Sequence, residues 1–197
     1  MWYDKLAKIH QQPPEGGGKD GSAMTNETLK VLKGRRSIRR YKPEQISEEE
    51  LSAILEAGAW APSGRNLQSA VMVVVQDRET LDYMTRLNAE IRGCPGTDTF
   101  FAAPTAVVVL ADGENYNWMR DGSLVMGNLM NAAASLGIGS CWVNRAMELF
   151  DMPEGKALLR KWGLPETLRG VGNCVLGYID GPVPAPKPRK EGYIVRV

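Results

Sequence analysis

Histidine is almost missing from this chain: His10 is the only one in 197 residues. Serine–histidine and cysteine–histidine nucleophilic sites need an imidazole as proton carrier, and most zinc sites need one as ligand. All of these are disfavoured, and no metal site is expected. Cysteine is scarce too. Cys94, Cys141 and Cys174 are odd in number and far apart in sequence, so neither a disulfide framework nor a zinc knuckle is expected, and a reducing cytoplasm fits. Cys141 and Cys174 read as small buried core residues. Long apolar runs are lacking as well. The longest, Leu124 to Ile138, is broken by Asn128, Asn131 and glycines, and no membrane span or membrane partner is expected. The N-terminus has no basic-then-apolar signal pattern. Charge of one sign is not in excess either. The formal net charge of +1 gives no reason to expect nucleic acid as a partner. An enzyme with this composition would place its chemistry on a cofactor or on carboxylates.

What is present reads as an α+β domain behind a tail. Residues 1–23 hold a Pro-, Gly- and polar-rich stretch from Gln11 to Ala23 that has too little apolar surface for a core. Met24 offers a second natural start, so residues 1–23 are set aside as a flexible tail, native or added. Residues 24–197 read as a single domain. Helices are expected over Asn26–Arg35, from Ser47 to about Pro62, over Arg78–Arg92, over Trp118–Leu136, and from Pro153 to Gly163. Ser47 with Glu50 three residues on forms a capping box. Short β-branched runs predict strands at Ala70–Gln76, Thr105–Ala111, Ser140–Val143 and Val171–Ile179. The Pro-rich arm GPVPAPKPRK then delivers a strand-like EGYIVRV. Residues Tyr193–Val197 would add a strand to a partner subunit's sheet or pair within their own chain.

Four segments are candidates for a binding site. Arg35, Arg36, Ser37, Arg39 and Arg40 crowd guanidiniums that would repel on a helix face, yet suit phosphate oxygens. The alternative is a solvated basic turn. Pro62–Gln68 (PSGRNLQ) leads from a helix end to a buried strand, and its carboxamides offer donors and acceptors together. They match the edge of a heterocycle such as a flavin pyrimidine, or else form an ordinary turn. In Leu136–Trp142 (LGIGSCW) glycines let backbone N–H groups approach a flat ligand. The order helix-to-strand and the missing third glycine exclude a dinucleotide fingerprint. Lys187, Arg189 and Lys190 are a basic cluster in the arm, or a solvated tail.

Taken in order, RRSIRRYKPEQIS, PSGRNLQ, DGSLVMGNLMNAAASLGIGSCWV and PKPRKEGYIVRV resemble the FMN-dependent nitroreductase family, from about Thr28 to the C-terminus. The resemblance implies a three-layer fold with a central, mostly antiparallel sheet flanked by helices. It also implies an intertwined homodimer with two FMN sites at the interface, and residues 181–197 as an arm reaching the partner subunit. By position, Arg35, Lys187 and Arg189 resemble phosphate ligands, and Arg36 and Ser37 residues along the phosphate and ribityl chain. Arg39 resembles the basic residue near the flavin pyrimidine. Pro62, Ser63, Gly64, Asn66 and Gln68 resemble the loop given by the partner. Asn88 resembles an asparagine near the flavin, and Gly139 and Ser140 the backbone beside the isoalloxazine. Phe100 and Phe101 fall in the segment that covers the substrate.

There are two departures from the family pattern. Gly64 stands where many members have a second serine, and the segment between Leu87 and Pro104 is short, which implies an open pocket. The implied activity is hydride transfer from NADH or NADPH through FMN to a nitroaromatic, quinone or similar small acceptor. No side chain is expected to be an indispensable acid or base, because the flavin carries the chemistry. A related flavin enzyme, such as a reductive dehalogenase or a flavin-fragmenting enzyme, and a flavin- or nucleotide-binding module without turnover are the alternatives.

Overall fold

The computed structural model describes residues 24–197, so the tail expected over residues 1–23 lies outside them. The chain divides between Lys33 and Gly34 into two compact units. In the first, helix α1 (Glu27–Gly34) begins where Asn26 Oδ1 accepts the Leu29 N–H at 2.8 Å, and buries none of its residues.

The second unit carries every candidate site residue. Its elements are α2 (Glu48–Ala59), β1 (Ala70–Val75), α3 (Arg78–Arg92), β2 (Thr105–Asp112), α4 (Trp118–Ser135), β3 (Gly139–Val143), α5 (Ala146–Asp151), α6 (Pro153–Lys161) and β4 (Leu168–Gly177). The expected capping box is present, with Ser47 Oγ accepting the Glu50 N–H and Glu50 Oε2 accepting the Ser47 N–H at 2.9 Å. Asp77 caps α3 by accepting the Thr80 N–H at 2.8 Å, and Gly93 ends the helix at φ 76°, a left-handed conformation that glycine adopts without strain.

The sheet has the order β1-β2-β4-β3, with every neighbouring pair antiparallel. Strand β2 shows why three layers form. Side chains alternate across a strand. Ala106, Val108 and Leu110 face one apolar cluster, with Leu81, Met84 and Leu87 of α3, Leu149 and Phe150 of α5, and Leu158 and Leu159 of α6. Val107, Val109 and Ala111 face the other, with Leu51 and Ile54 of α2 and Val125, Met126, Leu129 and Ala133 of α4. Both faces are covered, so β2 reads as an unbroken apolar run.

Three differences from the sequence reading have local causes. Helix α5 was not expected. Arg145, left-handed at φ 77°, turns the chain out of β3, and Ala146, Leu149 and Phe150 then bury one helical face. Strand β4 begins at Leu168, three residues earlier than expected. Its first half is masked in sequence by Gly170, Gly172 and a bulge that lets β2 Val109 and Leu110 face Gly172 and Gly170. The strand expected at Tyr193–Val197 does not form within this chain. Those residues belong to no sheet, and Tyr193, Ile194 and Val195 are all exposed.

Candidate cofactor site

Residues 35–42 run extended across the end of the sheet where β3 begins and β4 ends. Ser37 pairs with Ser140 and Tyr41 with Ile179 as isolated bridges. Ile38 N–H donates to Ser140 O at 2.9 Å, and Lys42 N–H to Tyr178 O at 2.9 Å. Buried Ile38 and Tyr41 anchor the segment, and the Tyr41 hydroxyl donates to Ile38 O at 2.6 Å. Burial raises the Tyr41 phenol well above its ordinary range, so it stays protonated.

Extended backbone places side chains two apart on one face. Arg35, Ser37 and Arg39 obey that period, and all three act on the Cys141 thiol. Burial pushes this thiol up, while Arg39, a hydrogen bond with Ser37 and Arg35 pull it down. Arg36, one position out of phase, donates Nη1 to Arg35 O at 2.7 Å. The Arg35 guanidinium is the telling group. Its Nη1 is buried and has no hydrogen-bond partner among the described residues, and the buried Ser140 Oγ beside the same segment has none either. Native structures rarely leave such atoms unmatched, so a missing ligand is the natural account. Gly139 must approach closely here. A Cβ on it would lie 3.0 Å from Ile38 Cγ2 and 3.1 Å from Gly177 O.

Beside this segment, along the open edge of β3, lies a cavity of about 300 Å³. Arg39 and Asn88 line it, joined by Phe101, Cys141–Arg145, Arg92 and Thr99. Three arginines and no carboxylate make it a place for an anion or an electron-rich ring. The buried Asn88 is fixed by its Nδ2 donating to Asn144 O at 2.6 Å. Arg39 lies over the Phe101 ring, 5.8 Å from its centre. Phe101 and Ala102 hold left-handed φ of 59° and 51°, strain of the kind that collects at ligand sites. Phe100 does not line the cavity, because its ring is packed in the core at 2% exposure. Gly139 and Ser140 are buried beneath the Arg35–Arg39 segment, and the residues that face the cavity are the next five, Cys141–Arg145. Sequence reasoning missed Arg92 and Arg145, which carry no motif.

The Pro62–Gln68 loop lies elsewhere. It contains a 3-10 turn, Gly64–Asn66. Ser63 Oγ accepts the Gln68 N–H at 3.0 Å, and Gln68 Nε2 donates to Asn66 Oδ1 at 3.1 Å. Gly64 N–H donates to Asp121 Oδ1 at 2.9 Å, which ties the loop to the first turn of α4. The Arg35–Arg39 segment is tied to β3, just past the other end of that helix. Eighteen residues of α4 separate the two by about 27 Å at 1.5 Å per residue. Gly64 has a local reason here, because a Cβ would run into Asn117 Nδ2 and lie 3.2 Å from Asn117 Cγ. Lys187 and Arg189 form a third group, in the exposed arm, where Arg189 Nη2 donates to Lys187 O at 2.9 Å. One chain therefore brings together Arg35, Ser37, Arg39, Asn88 and Ser140. It leaves the loop and the arm apart from them.

Comparison with known proteins settles the family. The sequence model of the nitroreductase family matches residues 32–178. The chain belongs to the nitroreductase family. A relative from Archaeoglobus fulgidus, provisionally named an NADH dehydrogenase/NAD(P)H nitroreductase, is 36% identical over 173 residues, covering 85% of this chain and 90% of the relative. A nitroreductase from Bacteroides fragilis, solved with bound FMN, superposes with a TM-score of 0.81 at 35% identity, covering 88% of this chain and 100% of that one. A Desulfitobacterium hafniense nitroreductase, also with bound FMN, gives 0.80 at 28% identity, with the same two coverages. Among the described residues no helix is long and apolar enough to cross a membrane.

Proposed function

We propose that this nitroreductase-family protein is an NAD(P)H-dependent oxidoreductase that uses FMN to reduce nitroaromatics, quinones or similar small acceptors. The observation that carries the reading is the Arg35–Ser37–Arg39 face, with a buried, unmatched guanidinium nitrogen on Arg35, beside an arginine-lined cavity. FMN, when bound, supplies the redox chemistry, taking electrons from the reduced nicotinamide and passing them to the acceptor.

The chain's own residues would bind and tune. Arg35 would hold the phosphate, with Arg36 and Ser37 along the sugar-like chain. Arg39 would set positive charge near the pyrimidine, where it stabilises negative charge developing on the ring. Asn88 would address the ring edge from the buried side. Gly139 and Ser140 would form the floor. Lys187 and Arg189 would come to the phosphate from the arm.

The loop Pro62, Ser63, Gly64, Asn66 and Gln68 is a helix length away from Arg35 in its own chain. A two-fold homodimer with its α4 helices antiparallel would bring one chain's loop to the other's arginines. Each chain then holds two half-sites, one at each end of α4. The exposed Tyr193, Ile194 and Val195 fit an arm that crosses to the partner. The cytoplasm is the compartment proposed.

The short segment 93–104 carries no helix, and nothing on it favours a dehalogenase or a flavin-fragmenting enzyme. The test is oxidation of NADH and NADPH by FMN-loaded protein, with and without a nitroaromatic or quinone. Acceptor-dependent oxidation is the expected result. Flavin binding without any such oxidation would leave a binding module and sink the enzyme reading.

A further inference from the structure

Asp121 is a carboxylate at 4% exposure with no basic partner among the described residues, a costly state unless it has a task. Its Oδ1 accepts the Gly64 N–H at 2.9 Å. Its Oδ2 accepts Asn115 Nδ2 at 3.4 Å, and the same Nδ2 donates to Ser69 Oγ at 2.8 Å. Asn115 Oδ1 in turn accepts the Asn117 N–H at 3.1 Å. One carboxylate and one carboxamide thus hold both ends of the 64–69 loop, Gly64 directly and Ser69 through Asn115.

The loop needs holding. Arg65, Asn66 and Gln68 have φ of 55°, 55° and 49°. Each is a non-glycine residue in the left-handed region, which persists only where its surroundings impose it. Apart from Ser69 O, which accepts the Asp112 N–H at 3.3 Å, the loop's other hydrogen bonds are internal, among them Gln68 N–H to Ser63 Oγ and Gln68 Nε2 to Asn66 Oδ1. Nothing within the loop itself fixes where it stands. The collision of any Cβ at position 64 with Asn117 shows how closely the loop is pressed to the start of α4.

We infer that Asp121 is a positioning residue for the flavin. Through Gly64 and Asn115 it presents the strained 64–68 loop in the shape that receives the cofactor. This rests on the reading that the loop contributes to the flavin site. A merely structural alternative exists, since a carboxylate in a first helical turn also suits the helix dipole.

Donor and acceptor chemistry separates the two. Asp121→Asn sets an N–H against either Gly64 N–H or Asn115 Nδ2. Asn115→Asp sets two carboxylates against each other. The double swap restores every bond: the new amide donates to the new carboxylate, Gly64 keeps its acceptor, and the Ser69 hydroxyl rotates to donate. Titration of apo-protein with FMN, followed by flavin fluorescence, gives the dissociation constant, and apo-protein Tm is measured alongside.

Each single variant is expected to weaken FMN by about tenfold, the scale of one charged hydrogen bond. The double variant should return to within about twofold of wild type. Asn115→Asp separates the two roles, because a second carboxylate at the start of α4 suits the helix dipole yet breaks the donor–acceptor pairing. Single variants that keep wild-type affinity, whatever their Tm, overturn the inference. So does a double variant no better than the weaker single. Should Asp121→Asn not fold, Asn115→Ala leaves the bond between Asp121 and the Gly64 N–H in place while removing the side chain that ties Ser69 to Asp121. It is expected to weaken FMN, and unchanged affinity overturns the inference. If wild-type protein itself takes up no FMN, the flavin reading fails first, and this inference with it.

Discussion

Arg35 is where the account can fail at a single side chain. Arg35 is half-buried, and its buried Nη1 has no hydrogen-bond acceptor among the described residues, which a phosphate would supply. Arg35→Ala should weaken FMN by about 1.5–3 kcal/mol, roughly 10- to 150-fold, as expected for lost charge-assisted bonds. Fluorescence titration reads this directly, and unchanged affinity would remove Arg35 from the phosphate site. The cysteines make a second residue-scale prediction. Cys174 is fully buried and its thiol is pushed up to about 12 by desolvation, first of all causes. Cys141 is buried and raised in the same way. Cys94 is half-buried. A thiol reagent at pH 8 should therefore label one cysteine quickly in the native protein and the other two only on unfolding, since the thiolate is the reacting form. Peptide mapping of the label checks the assignment. At this scale the sequence was legible where the residue type itself is unusual. Four arginines within six positions stood out, whereas Arg92 and Arg145 reach the cavity only because α3 and the turn after β3 carry them there.

Among the elements, α4 sets the geometry of everything else. Its apolar face against β2 and β4 includes Met126 and Leu129, both at 0% exposure. Leu129 also abuts Gly58 of α2, where a Cβ would lie 2.8 Å from Leu129 Cδ2. Leu129→Ala should cost about 2–5 kcal/mol in a denaturant melt, the usual range for a leucine emptied from a packed core. The helix ends predict a response to acid. Asp77 is held below the ordinary carboxylate range by its hydrogen bonds to Thr80, and Asp82 by its hydrogen bond from Arg78. Asp151 is lowered likewise by Arg169, and Glu50 by Tyr178 and Ser47. A carboxyl group whose pKa is depressed in the folded state stabilises the fold above its unfolded pKa. That stability is lost as pH falls through the folded value. Tm should hold from neutrality down to about pH 4 and decline below it. A Tm that rises on acidification would contradict these assignments. Helices were legible from caps and periodicity. Helix α5 was not, because six residues carry only one turn and a half of pattern. The start of β4 was hidden by two glycines and a bulge whose purpose, close approach to Trp142 and α5, is visible only in three dimensions.

For the whole molecule, the separation of the Arg35–Arg39 segment from the Pro62–Gln68 loop along α4 is the main consequence of the fold. The sequence placed all four motifs in order, but not their distances. Only the structure shows that Arg35 and Ser63 lie at opposite ends of one helix. An arm that holds four exposed apolar residues, Tyr193, Ile194, Val195 and Val197, and contributes no strand to its own sheet fits a partner better than solvent. Removing residues 186–197 should lower both dimer content and flavin content together, read by light scattering and absorbance on the same fractions. Loss of one without the other would separate the arm from the site.

The central claim is that this chain holds FMN, and the visible absorption spectrum tests it most directly. Purified protein is recorded as isolated, then again after incubation with FMN and desalting. Retained flavin bands approaching one FMN per subunit are expected. Protein that emerges colourless under both conditions would contradict it, and the Arg35–Arg39 face would need another ligand.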